Sequence, residues 1–247
     1  MAQYDKIAKI YFEKRKNKKD FDYNRDIEVP AMVKAIGNVR GKTILDMGCG
    51  FGDHIEKLLK QKPKKIIGFD LSPELIRFAN GQKLQNCEFF VLNFDKKMPF
   101  KAGQFDIVFS SLAVHYSNNL DRLFSNVRKI LKKNGLFLFS TSHPIFNAIN
   151  TSLNKLVGIK KINGKKRFYG NYFDESLKSY DCGTSVGKIK LHSYTFQTWI
   201  RAILKNKFEI IEYIDEKPVP ESKKYNAAKY KMNTTLPTFI LFKLRKK

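Results

Sequence analysis

The chain has 247 residues, 43% of them hydrophobic, with 47 Lys and Arg against 23 Asp and Glu, a formal net charge of +24. That length and apolar content suffice for a sizeable core, and one domain is expected. The first residues carry Asp5, Lys6 and Lys9, so they form no apolar leader, and the longest uncharged stretch, 134–154, is too often broken by Asn, Ser, Thr, His and Pro to span a membrane; a soluble cytoplasmic protein is expected.

In chain order, "YDKIAKIYF" and "EVPAMVKAIGNV" predict two helices covering one edge of the core. Alternation begins near residue 42. "TILDM" is a short buried-strand run, "HIEKLLKQ" has apolar residues at helical spacing, and "KIIGFD" is a second strand ending at Asp70. In "SPELIRFAN", Ser72 predicts an N-cap with Pro73 in the first helical position. "CEFFVLNF" and "FDIVFSS" predict the third and fourth strands, "LDRLFSNVRKILKKNG" a helix closed by Gly135, and "LFLFSTS" a fifth strand. Such alternation predicts a doubly wound, mostly parallel α/β sheet with its ligand at the carboxyl ends of the strands. From Pro144 to Lys190 the rhythm is lost, which predicts a lid inserted after strand five. "KIKLHSYTF", "FEIIEYID" and "TFILFKL" predict further strands, "QTWIRAILKN" a helix, and "EKPVPESKKYNAAKYKMN" an exposed loop. The expected layout is a helical cover at 1–40, a cofactor-binding core at 41–143, the lid at 144–190 and closing strands and helix at 191–247.

The stretch "ILDMGCGFGDH" places Gly48, Gly50 and Gly52 directly after the first strand, where bare backbone at a helix N-terminus lets a ligand approach closely. The third glycine is one residue early for a dinucleotide fingerprint, no P-loop lysine is present, and Asp46 and Asp53 would repel a pyrophosphate. Asp70 ends strand two, 22 residues after Gly48, where a carboxylate accepts from two vicinal ribose hydroxyls. Together these suit a nucleoside with a cationic or zwitterionic end.

On "ILDMGCGFG", "IIGFDLS", "VLNFDKKMPF", "FDIVFSSLAVHY" and "VRKILKKNGLFLFS", the chain resembles the class I S-adenosylmethionine-dependent methyltransferases, most closely the ubiquinone/menaquinone-biosynthesis-like methyltransferase domain group, over about residues 40 to 142. The resemblance implies S-adenosyl-L-methionine as cofactor with S-adenosyl-L-homocysteine as product, a Rossmann-like sheet of seven strands whose last is antiparallel, and methyl transfer. Carried over by position, Asp46, Gly48, Cys49, Gly50 and Gly52 would contact the methionine end, Asp70 the ribose and Leu71 the adenine. Asn93, Phe94 and Asp95 would frame the adenine edge, although many relatives carry an acid where this chain has Phe94. Ser110, Ser111 and Leu112 would lie beneath the sulfonium.

Methyl transfer needs chiefly an acceptor held in line with the methyl carbon, and a base only where the acceptor must lose a proton. His115 after strand four and His143 after strand five lie on the ligand-bearing rim and are candidate acceptor-side groups; His192 comes after the lid. Tyr116, Tyr169, Tyr172 and Phe173 are candidate walls for an apolar or planar acceptor. Cys49 reads as a small spacer between glycines rather than a nucleophile. Cys49, Cys87 and Cys182 lack CxxC pairing, so neither a disulfide framework nor a metal site is expected. A small-molecule acceptor is the leading expectation, with a monomer or homodimer and no membrane partner. The charge keeps tRNA or rRNA methylation open, yet the basic runs are dispersed along the chain and no RNA-binding module is evident. A non-catalytic cofactor-binding protein or complex subunit is the third reading.

Overall fold

The computed structural model describes residues 2–16, 19–149, 158–169, 172–181 and 188–247, with residues 16, 149, 158–162, 166–169, 180 and 181 described by backbone alone. A 3₁₀ turn at Asp5–Ile7 leads into α1 (Ala8–Lys16), and a π-helical segment at Asn24–Glu28 runs into α2 (Val29–Ile36). The alternating core comprises β1 (Thr43–Met47), α3 (Asp53–Leu59), β2 (Lys65–Asp70), α4 (Pro73–Gly81), β3 (Cys87–Val91), β4 (Phe105–Ser110), α5 (Leu120–Ile130) and β5 (Leu131–Ser142). Beyond it lie α6 (Pro144–Ile149), β6 (Gly158–Ile162), β7 (Lys165–Tyr169), β8 (Leu177–Asp181) and β9 (Lys188–His192). The chain ends through α7 (Phe196–Lys205), β10 (Phe208–Asp215), α8 (Ala227–Thr235) and β11 (Phe239–Lys246).

Seven strands form one sheet in the order β10-β11-β5-β4-β1-β2-β3, with β11 antiparallel to both its neighbours, as the resemblance implied. Because side chains alternate across a strand, β1 sends Ile44 to one face and Leu45 and Met47 to the other. On the Leu45 face, Phe124 of α5 and Trp199 of α7 pack with Phe137, Phe139 and Phe242; on the Ile44 face, Met32 of α2, Ile55 of α3 and Ile76 of α4 cover Ile66, Phe109 and Leu138. Burial on both faces explains the predominantly apolar runs of β1, β2 and β4. Ser72 caps α4 as expected, its hydroxyl accepting from the Leu75 amide at 3.2 Å.

Several boundaries differ from the sequence reading. Helix α5 stops at Ile130 rather than running to Gly135, because Leu131 pairs with Phe105 and the next pair is Ile107 with Leu136. The residues between bulge outward with Asn134 at φ +61°, and Gly135 fits there because a Cβ would meet the Lys132 carbonyl at 2.9 Å. The predicted strand "KIKLHSYTF" is short and pairs only with β8, outside the main sheet. The expected loop before β11 contains α8, which buries only Asn233 and so has no apolar stripe to announce it. The two N-terminal helices do not flank a sheet edge: α2 lies on a sheet face, and α1 packs Ala8 and Phe12 against Phe51, Leu75 and Phe78 beside the ligand rim. Within the expected lid, α6 and two antiparallel hairpins are described, while 150–157, 170–171 and 182–187, including Cys182, lie outside the described residues. Among the described residues no helix is long and apolar enough to cross a membrane.

Phe139 is fully buried with ring centroids 5.1 Å from Phe242 and 5.2 Å from Trp199. Phe139→Ala is expected to lower stability by about 3–5 kcal/mol, read as a shifted urea midpoint at unchanged slope.

Candidate active site

The turn after β1 is pinned to the tip of β2. The Gly48 and Cys49 amides donate to the Phe69 carbonyl at 2.8 and 2.9 Å, and the Gly50 amide donates to Asp70 Oδ2 at 3.0 Å. Asp70 Oδ1 accepts from the Ser72 amide at 2.9 Å. Gly48 has φ +79°, and a Cβ there would lie 2.4 Å from that of Ala113, so only glycine lets β1 and the loop after β4 meet. Gly52, at φ +87°, starts α3. The Cys49 side chain fills the space over Gly68, and burial pushes its thiol well above the ordinary pKa, as suits a spacer and not a nucleophile.

A cavity of about 880 Å³ opens at the carboxyl ends of the strands. Gly48, Gly50, Asp70, Leu71, Asn93, Phe94 and Asp95 lie on its wall. The remaining members of the expected cofactor set, Asp46, Cys49, Gly52 and Ser110, do not face it. Asp46 is 1% exposed beneath the turn with neither carboxylate oxygen partnered, Cys49 borders only a small adjoining cavity, and Ser110 is buried, donating to the Met47 carbonyl at 2.6 Å. Ser111 and Leu112 replace Ser110 on the wall. Asp95 accepts from the Ser117 hydroxyl at 2.5 Å and the Asn118 amide at 3.1 Å, bracing the loop after β4 while bordering the cavity.

The positive group of the site was not visible in the sequence. Arg15 of α1 reaches the wall beside the glycine turn, its side chain 5% exposed, paired with Asp22 at 2.7 Å and with Asp53. Burial works against its charge, but Tyr11, Asp22 and Asp53 outweigh it and hold the guanidinium pKa above its usual value. Asp53 is therefore neutralised by Arg15 rather than left to repel a ligand anion. No spacing in "KRKNKK" separates Arg15 from its neighbours; only the packing of α1 on α4 selects it.

Behind the wall, Glu28, fully buried, bonds His54 at 2.6 Å and accepts from the Ser140 hydroxyl at 2.7 Å. Burial alone would raise the Glu28 pKa; His54 and the Ser111 and Ser140 hydroxyls reverse this and lower it. Burial likewise opposes the His54 charge, and Glu28 with Asp46 and Asp53 raises its pKa, so the two form an ion pair. Ser140 in turn accepts from the amide of Leu112, whose φ of +48° is unusual for a branched residue.

Of the acceptor-side candidates, His115 and Tyr116 line the cavity. His115 Nδ1 lies 3.1 Å from Thr141 Oγ1, and burial, aided by His192, pushes the ring pKa down to about 3. His143 does not reach the wall, because Nδ1 accepts from the Ile145 amide and Nε2 faces Asp215 at 3.2 Å, which occupies both nitrogens. His192 is also set back: Nδ1 donates to the Glu175 carbonyl, and Nε2 lies 3.4 Å from the cavity residue Asn118. The Tyr172 hydroxyl accepts from the Phe196 amide away from the cavity, Phe173 is 82% exposed, and only the backbone of Tyr169 is described. The arm at Gln3 and Tyr4 roofs the cavity. Gln3 exchanges hydrogen bonds with the Lys190 backbone at 3.0 and 2.6 Å, and the Tyr4 and Tyr116 hydroxyls are 2.9 Å apart.

Residues 38–192 match the family described as a methyltransferase domain. An uncharacterised protein of Haemophilus influenzae is 34% identical over 154 residues, a match spanning 59% of each chain. Demethylmenaquinone methyltransferase of Chlorobaculum tepidum is 27% identical over 174 residues, 68% of this chain and 71% of that one. The solved structure of an S-adenosylmethionine dependent methyltransferase from Mesorhizobium loti is similar at 27% identity with a TM-score of 0.72, covering 87% of this chain and 96% of that one.

Asp46 carries a pH signature. Burial, with Glu28 and Asp70 adding to it against His54, raises its pKa from 3.8 to about 7. Between those values the folded chain binds more protons than the unfolded one, so this group's contribution to stability falls as pH rises through that window. Asp46→Asn is expected to flatten the decline, read by comparing urea midpoints of both proteins at acid and at neutral pH.

Proposed function

The chain belongs to the methyltransferase-domain family and is an S-adenosylmethionine-dependent methyltransferase of class I fold, and from that premise we propose that its acceptor is a small molecule held in the roofed cavity. The observation that carries this reading is the cavity itself: at about 880 Å³, with Gln3 and Tyr4 tied across one side of it, it has the size of a small-molecule site. The basic runs divide: that at 60–65 leads into the amino end of β2 and that at 243–247 ends β11, both at the end of the sheet opposite the cavity, whereas the run at 14–19 brings Lys14 and Arg15 to the cavity wall. The Chlorobaculum relative is named for demethylmenaquinone, also a small molecule.

The residues present fit S-adenosylmethionine. Asp70 accepts one backbone N–H at each oxygen, which leaves a lone pair on each for two ribose hydroxyls. Leu71 and Phe94 offer apolar surface to the adenine, and Asn93 and Asp95 offer polar groups to its edge. The bare backbone at Gly48 and Gly50 admits the methionine chain, with Arg15 placed for its carboxylate.

When bound, S-adenosylmethionine supplies an electrophilic methyl carbon whose bond to sulfur breaks as the bond to the acceptor forms, the electron pair staying on a neutral thioether. The chain's own work is positioning. Leu112 and Ser111, tied through Ser140 and Glu28, set the floor on which acceptor and methyl group meet. With its pKa at about 3, His115 is neutral at physiological pH and too weak a base to hold a proton, so it serves as a hydrogen-bond acceptor that aims an acceptor hydroxyl or N–H.

Incubation with methyl-labelled cofactor and a metabolite extract is expected to label a compound of low mass; labelling that disappears on ribonuclease treatment overturns the reading. Asp70→Ala is expected to abolish cofactor binding in calorimetry while circular dichroism shows the fold retained, and unchanged affinity removes Asp70 from the ribose. His115→Ala should lower kcat on the order of tenfold with little change in cofactor affinity, partly rescued by His115→Asn; equal rates would remove it from the acceptor side.

A further inference from the structure

The loop after β4 is held in place by a side chain that is not on the cavity wall. Glu28 closes the π-helical segment Asn24–Glu28 and is fully buried. Its carboxylate is nevertheless spent on groups that face the site: Oε1 accepts from the Ser140 hydroxyl at 2.7 Å, the Ser111 hydroxyl also bonds it, and Oε2 lies 2.6 Å from His54 Nε2. Burying an ion pair costs desolvation, and where only packing is needed an apolar side chain of like size stabilises as well or better.

Ser140 turns that charge into backbone geometry. A carboxylate only accepts, so the single hydroxyl proton of Ser140 points at Glu28 and its lone pairs are left for the Leu112 amide, which donates to it at 3.0 Å. Leu112 has φ +48°, a left-handed conformation that a residue with a Cβ keeps only where a specific contact holds it. In an extended chain successive side chains face opposite ways, whereas Ser111, Leu112 and Ala113 all lie on the cavity wall, directly after Ser110, which is buried behind it. The turn at Leu112 makes this possible. It also seats Ala113 against Gly48, where any Cβ would clash with its own, and packs Leu112 with the wall residues Phe21 and Phe239. The glycine turn and the aromatic wall thus take their spacing from one backbone angle.

We propose that Glu28 is a positioning residue for methyl transfer, acting through Ser140 to hold Leu112 left-handed and so to set where the acceptor meets the methyl carbon. The inference rests on the reading above that the acceptor is held in this cavity, and it adds what fixes the geometry there.

The test is a double-substitution cycle on the full chain. Ser140→Ala removes the link, and Leu112→Gly supplies a residue that adopts the left-handed conformation without it. With methyl-labelled S-adenosylmethionine and the metabolite extract, Ser140→Ala should lower the transfer rate at saturating cofactor about tenfold with KM for S-adenosylmethionine unchanged, and should lower it far less in the Leu112→Gly background. Glu28→Leu should act as Ser140→Ala does, while Glu28→Gln, which keeps an oxygen for the Ser140 proton, should recover most of the rate; if Glu28→Leu fails to fold, the Ser140 cycle decides. A crystal structure of Ser140→Ala with S-adenosylhomocysteine should show Leu112 outside the left-handed region. Additive losses in the cycle, a loss confined to KM, or Leu112 still left-handed in Ser140→Ala would overturn the proposal. The crystal needs no acceptor, which separates the two levels: labelling lost on ribonuclease treatment while Leu112 is displaced defeats the small-molecule reading alone, whereas an unmoved Leu112 defeats this inference alone.

Discussion

The Asp70 carboxylate is the contact on which the site depends. By accepting from the Gly50 and Ser72 amides it ties the turn after β1 to the start of α4, and through Ser72, whose hydroxyl donates to Asp5 at 2.5 Å, it reaches the N-terminal arm. Burial, with Asp5 nearby, raises its pKa against these backbone donors. A ligand presenting two hydroxyls adds donors to a carboxylate that is short of solvent. The same group shapes the crevice and is the ribose contact proposed above.

A second buried network stands behind the cavity. Glu28 joins α3 through His54 and β5 through Ser140, and Ser140 holds the amide of Leu112 in its left-handed conformation. The N-terminal cover is thus bonded to the loop after β4 that lines the cavity, which makes it part of the cavity's geometry. Glu216, also fully buried and with no hydrogen-bond partner for its carboxylate among the described residues, has its pKa raised well above the usual value by burial and by the charge of Glu28. The pair then carries one negative charge instead of two, and that charge is the one His54 balances.

Methyl transfer asks little of acid–base chemistry, and the site reflects this. His115 is buried and neutral, Cys49 is packed as a spacer, and His143 is held between an amide and Asp215. What the structure supplies in quantity is walls, a roof and fixed polar anchors, the means by which a bound acceptor loses its freedom to miss the methyl carbon.

The strand–helix alternation, the glycine turn and Asp70 were legible in the sequence because each is local: strands buried on both faces make continuous apolar runs, close backbone approach requires glycine, and the acid closes the strand beside that turn. The same locality misled at Gly135, where pairing with β4 overrode an apparent helix cap, and at α8, which has no apolar stripe to read. Arg15, Asn147, Lys229 and Phe239 meet around one cavity from four distant segments. No spacing along the chain relates them, so only the packing of α1, α6, α8 and β11 over the ends of the sheet brought them together, and the same packing turned His143 and His192 away from the wall.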